Sequence, residues 1–179
     1  MEQRIYGTPA HYMGTNKIMS SDLGGLNEIN TALKLNALIN AYEDLYVFHS
    51  VNMKNADGET DHILVFRNKI ILLETKTHSG HHSFRVSSNG ALYGYKGKRS
   101  YRIDDNKLYS KMESIGRRFP EYKVEGIIVI SQRNVGTRSS HHAYNVVSLD
   151  TFENILQERL DSDFAPNNKV VVKYFSALC

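Results

Sequence analysis

Residues 61–80 read DHILVFRNKIILLETKTHSG, and the pairing within this stretch decides the fold. Two apolar runs, ILVF (63–66) and IILL (70–73), flank Arg67-Asn68-Lys69. Short runs rich in strand-forming residues, broken by turn residues, predict a β-hairpin. The strands are expected over 60–67 and 70–77, with a two-residue turn at Asn68-Lys69. In that register Arg67 faces Ile70, Asp61 faces Lys76 and Ile63 faces Glu74. Side chains alternate with a period of two, so Asp61, Glu74 and Lys76 leave one face of the hairpin together. Glu59 joins them if the first strand reaches back so far.

The rest of the chain supplies a setting for this hairpin. Residues 1–22 carry Gly7, Pro9 and Gly14 and read as an extended lead-in. Ser20-Ser21-Asp22 offers cap residues for a helix from about Leu26 to Tyr46. YVFHSVNM (46–53) reads as a first strand. After the hairpin, turns at Ser88-Asn89-Gly90 and Lys96-Gly97 separate the short strands SFRV, ALYGY and RSYRI. Asp104 or Asp105 then caps a helix to about Phe119. Its core stripe is Leu108, Met112, Ile115 and Phe119. VEGIIVIS (124–131) is continuously apolar, the pattern of a strand covered on both faces. A basic loop over 132–144 leads to a strand at NVVSL. Asp150 and Glu153 start a helix to about Leu160, and KVVVKYF in the tail reads as another strand. No repeat, low-complexity tract or linker interrupts the pattern. The expectation is one α/β domain spanning 1–179, with its core at about 22–160.

Composition narrows the function classes. The chain has 179 residues, 41% hydrophobic and 23% charged, the balance of a globular protein. No run approaches the ~18 apolar residues of a membrane helix, and the N-terminus lacks the apolar segment of a secretory leader. One cysteine, Cys179, excludes an internal disulfide and a cysteine-based zinc cluster. A reducing, cytoplasmic setting fits. The net charge of +3 is compatible with a nucleic-acid partner.

Two carboxylates and an ammonium within reach of one another make a specific chemical kit. Hard oxygen ligands suit Mg²⁺ or Mn²⁺, with substrate phosphate completing the shell. Such a cation lowers the pKa of a bound water, and a neighbouring lysine steadies developing charge. An ordinary surface ion pair, worth about 0–1 kcal/mol, is the competing account. Glu28 argues against it. On a helical wheel it falls with Leu35, Ile39 and Tyr42, and a carboxylate on an apolar stripe is costly unless paired or cation-bound.

These residues resemble the nuclease-related domain (NERD) family of the PD-(D/E)XK nuclease superfamily. Glu28 preceded by Gly24, then ETDHI (59–63) and LETKTHSG (73–80), are similar to that family's pattern of a helix glutamate, I-D-H and I-E-T-K-x-x-x-G. The similarity covers roughly residues 22–160. It implies a restriction-endonuclease-like core, a central mixed β-sheet flanked by α-helices. It also implies that Asp61 and Glu74 hold the metal, Lys76 assists the water and Glu28 is an auxiliary acid. DNA is then the expected substrate and partner, in DNA processing, repair or defence. RNA and a homodimer remain open, no membrane partner is expected, and the rival is an inactive nucleic-acid-binding or interaction module. Two departures stand out. Asn106-Lys107 replaces the family's Asn-Pro and no glutamine follows, and Thr60 takes the place of an apolar residue.

Candidate nucleic-acid contacts are His78, just past Lys76, and Lys98, Arg99, Arg117, Arg133 and Arg138. Lysines and arginines meet phosphates. Tyr93, Tyr95 and Tyr101, interleaved with the basic residues at 96–99, offer rings for stacking. The spacing of His78, His81 and His82 matches no standard zinc pattern. Ordinary solvated surface is the competing reading for each of these groups.

Overall fold

The hairpin forms the centre of a mixed six-stranded sheet. The structure, a computed structural model, describes residues 3–9, 23–53, 58–77, 80–104, 107–132, 135–160 and 168–179. The sheet contains β1 (Ile5–Tyr6), β2 (Leu45–Asn52), β3 (Glu59–Phe66), β4 (Lys69–Lys76), β8 (Lys123–Ile130) and β10 (Tyr144–Ser148), in that spatial order. β3 runs antiparallel to β2 and β4, whereas β8 runs parallel to β4 and to β10. A second sheet has the order β7-β6-β5-β9, from β5 (Ser83–Val86), β6 (Leu92–Lys96), β7 (Arg99–Asp104) and β9 (Gly136–Ser139). Among the described residues, four helices complete the architecture: α1 (Leu23–Leu38), α2 (Lys107–Arg118), α3 (Phe152–Leu160) and α4 (Lys169–Ser176). This is the expected α/β arrangement.

Strand alternation divides the core between two layers. Ile63, Val65, Ile70 and Leu72 pack with Leu108, Met112 and Ile115 of α2, with Phe84 and Leu92 of the second sheet, and with Phe175 of α4. Leu64, Phe66, Ile71 and Leu73 face the other way, against Leu35 of α1, Ile39 just past its end, and Phe152 and Leu156 of α3. A strand buried on both faces has little room for polar alternation, which is why β4 and β8 carry the apolar runs IILL and IIVI.

Several expectations are corrected. The hairpin turn is Arg67-Asn68, one residue earlier than expected, because Phe66 pairs with Lys69 and Val65 with Ile70. Arg67 takes a positive φ of 50° there. Moving a two-residue turn by one position shifts the pairing by two, so each side chain keeps its face. Asp61 now stands opposite Glu74, one step beyond the pair His62–Leu73, and still shares a face with Lys76.

The first helix ends at Leu38, not near Tyr46. Arg4 donates from one guanidinium nitrogen to the carbonyls of Ile39, Tyr42 and Glu43. It thereby takes acceptors that a continuing helix would use, and Leu45 enters the sheet. The lead-in contributes the short β1, and its cap residues 20–22 lie outside the described residues. The basic loop at 132–144 contains β9, which pairs with β5.

The tail segment is the helix α4, not a strand. Val171, Val172 and Phe175 are buried while Val170 is exposed, the i, i+1, i+4 pattern of one helical face. Phe175 lies 5.5 Å from Phe48 of β2. That contact outweighs the strand preference of three valines.

Candidate active site

β3 and β4 bring the acids together where their pairing ends. Asp61 Oδ2 accepts from the amide of Thr75 at 2.6 Å. This bond orients the carboxylate across the strand gap towards Glu74. Glu74 is 7% exposed, and Lys76 Nζ donates to its Oε2 at 3.3 Å. The residue expected to act on the water therefore touches the residue expected to hold the metal.

The other Glu74 oxygen belongs to a residue that the sequence reading missed. Lys111 of α2, 3% exposed, donates from Nζ to Glu74 Oε1 at 2.8 Å and to the carbonyl of Glu59. A signal was present. Lys111 falls among Leu108, Met112 and Ile115 on the helical wheel, the same argument that singled out Glu28. A lysine on a buried stripe needs a carboxylate there, and Glu74 is that carboxylate.

Asp61 feels the crowding. Its carboxyl is pushed up to about 7, first by burial and then by the charge of Glu74, with Glu28 adding to the effect. The Thr75 amide and Lys76 pull in the opposite direction. Glu28 is 6% exposed. It comes from α1, on the sheet face opposite α2, and acts on Asp61 from that side. Asn27, its neighbour, donates to Thr77 Oγ1 at 3.2 Å, which ties the start of α1 to the end of β4.

Behind Glu28 lies a second polar group that the sequence reading did not weigh. His49 and His62 are cross-strand partners on β2 and β3, both buried. Their Nδ1 atoms are 2.9 Å apart, and His49 Nε2 lies 3.0 Å from Asn36 Oδ1 of α1. Burial holds His49 down at about 4. His62 falls to about 3 through burial and the neighbouring His49, although the Glu28 backbone against it favours its charged form. The pair is neutral at ordinary pH and links both strands to the helix that carries Glu28. A histidine in each of two strands, at positions that pair, was the available signal.

Asp61 and Glu74 fit a hard divalent cation as donors. Both are oxygen ligands, they face each other, and a carboxyl raised to about 7 marks a position short of positive charge. Mg²⁺ commonly takes only one or two carboxylates and completes its shell with water and phosphate. Accordingly, no group of three or more histidine, cysteine or acidic side chains among the described residues forms a ready-made metal cage.

The expected nucleic-acid contacts scatter. Lys98 lies in the β6–β7 turn and Arg99 opens β7 opposite Lys96. Arg117 is exposed in the last turn of α2, and Arg138 lies on β9. His78 and Arg133 lie outside the described residues. Tyr93 and Tyr95 share a face of the second sheet, but Tyr101 pairs with Gly94 and belongs to the other. His81 lies against Phe84 and Tyr101 and is a packing residue.

A family model described as nuclease-related domain matches residues 23–131, more than half of the chain and all of the acids and lysines above. No curated protein and no solved structure matches it. Among the described residues, no helix is long and apolar enough to cross a membrane.

Proposed function

Because the chain belongs to the nuclease-related domain family, we propose that it hydrolyses phosphodiester bonds of DNA, with Mg²⁺ or Mn²⁺ as cofactor. The observation that carries this reading is the Asp61–Glu74 opposition, a setting in which burial and then the charge of Glu74 raise the Asp61 carboxyl to about 7. Asp61 and Glu74 are the ligands, with Glu28 as an auxiliary acid. When bound, the cation supplies Lewis acidity at the phosphoryl oxygen and a water of lowered pKa.

The chain's own groups do the rest. Thr75 N–H fixes Asp61. Lys111 holds Glu74 from the protein side, and Lys76 reaches it from the more open side. Of the two ammonium groups Lys76 is the more exposed, and in this reading it meets the attacking water and the charge on the phosphoryl group. In the net reaction the water oxygen bonds to phosphorus, the leaving oxygen departs with its electron pair, and a proton ends on it. His78, Lys98, Arg99, Arg117, Arg133 and Arg138 are proposed contacts to the DNA backbone.

A second reading, an inactive binding module, draws on one observation. Both Glu74 oxygens already have a lysine partner, the balance that a vestigial site would keep. Incubating the protein with plasmid and linear DNA in Mg²⁺, Mn²⁺ or EDTA separates the two. Cleavage in metal that stops in EDTA supports the nuclease. Cleavage that persists in EDTA refutes the metal mechanism, and binding without cleavage in any metal supports the module.

A further inference from the structure

We infer that the outer face of the second sheet is a docking platform for single-stranded nucleic acid. Its strands align Arg138 of β9, Arg85 of β5, Tyr93 of β6 and Arg102 of β7 as successive cross-strand partners. The next row is Gly136, Ser83, Tyr95 and Ser100. Phe84, Val86 and Leu92 alternate with these residues and lie in the core, so both rows face outward.

Arg85 and Arg138 stand directly opposite each other on parallel strands. Like charges so placed oppose pairing, and the fold relieves them little. Arg85 donates to the neutral Ser140 Oγ at 3.1 Å. Among the described residues, neither arginine forms an ion pair with a carboxylate. Strands β5, β6 and β9 contain no acidic residue. A groove of about 390 Å³ runs between β5 and β9, with Arg85, Arg138 and Tyr95 on its walls. The glycine at 136 keeps one side of it open.

A row of guanidinium groups suits phosphates, which it engages in paired hydrogen bonds. Tyrosine rings in the middle of the rows suit bases, but only bases free to leave a helical stack. A duplex presents phosphates and hides its base faces, leaving Tyr93 and Tyr95 without a role. The combination therefore selects a single strand.

Short connections also join the platform to the strands that carry the acids. Lys76 pairs with Ile130, and the chain leaves these two strand ends for Ser83 and Gly136, which pair with each other. Neither connection exceeds seven residues, so the near edge of the platform lies within about 24 Å of Lys76. A strand held there is led to the site. This deepens the nuclease reading by naming its substrate class, but binding can be measured without any cleavage.

The test is fluorescence anisotropy of the full chain in EDTA, using a labelled 20-nucleotide oligothymidine and a 20-base-pair duplex across a salt series. Single strand should bind about tenfold tighter than duplex. Arg85→Gln with Arg138→Gln should weaken single-strand binding about tenfold and lower the log-log salt slope by about 1.4, two phosphates' worth. Tyr93→Leu should weaken binding at every salt concentration with the slope unchanged. Lys169→Gln with Lys173→Gln removes equal charge from α4 and should change little, and circular dichroism checks the fold of each variant. Duplex bound as tightly as single strand, equal losses in the two double variants, or no binding at all overturns the platform. If these results hold while metal yields no cleavage, the platform stands and the nuclease reading fails. Cleavage untouched by the arginine variants gives the reverse.

Discussion

Replacing Asp61 by asparagine should stabilise the metal-free protein, and by an amount that depends on pH. The ordinary carboxyl value is 3.8, and in the fold Asp61 rises to about 7 through burial and the charge of Glu74. A raised carboxyl means that the folded state binds a proton more tightly than the unfolded chain. Stability from this group is therefore full below pH 4 and is lost as pH rises to about 7. The loss is at most about 4 kcal/mol at ~1.4 kcal/mol per pKa unit. Asparagine cannot ionise, yet its side-chain oxygen still accepts from the Thr75 amide. The variant should match the wild type near pH 4 and exceed it by ~2–4 kcal/mol at pH 8. The His49–His62 pair, held below its ordinary 6.5, pulls overall stability the opposite way across the same window. The quantity to follow is thus the variant-minus-wild-type difference from urea melts in EDTA at each pH. Saturating Mn²⁺ should reverse the order, because only the wild type retains both ligands. A difference that stays flat between pH 4 and 8 would refute the raised carboxyl, and with it the argument that this position is short of positive charge.

Three further outcomes follow from the same geometry. Lys76→Ala should lose turnover by ~10²–10³-fold yet retain Mn²⁺ binding in titration calorimetry; loss of both together would make Lys76 a structural support of the ligands. Lys111→Met strips Glu74 of its buried partner and should cost about 3–5 kcal/mol without metal. Excess Mn²⁺ should restore more of the melting temperature in this variant than in the wild type, and equal gains would show that Lys111 and the cation do not share a carboxylate. Gly126→Ala places a methyl against Met112 and 2.8 Å from the buried Tyr144 ring; a loss of about 1–3 kcal/mol is expected, read as a lower urea midpoint with an unchanged slope.

The sequence displayed those parts of the site that obey a short period. Asp61, Glu74 and Lys76 could be set on one face because strand alternation tolerates a turn misplaced by one residue. Glu28 was visible as a charge on an apolar stripe. Lys111 carried the same mark, but the regular spacing of Leu108, Met112 and Ile115 on its helix masked it. The partners of His49 and Arg4 depend on contacts between elements distant in sequence, which no local pattern records. α4 misled for a different reason. Three consecutive valines favour a strand by propensity, and only the position of Phe48 decides otherwise. The second sheet was legible strand by strand, but its arginine row was not, since β9 lay hidden in what looked like a loop.

The neighbours of β4 reach it very unequally. β3 is its hairpin partner, while β8 joins it more than fifty residues further along the chain. Until Lys123–Ile130 has been made, the run IILL has an open flank of unpaired amides and carbonyls. Such an edge is flat, apolar and ready to pair with another chain. Shortening the protein to the segment that holds the acids, ending before Lys123, should therefore yield aggregates and not a minimal soluble nuclease.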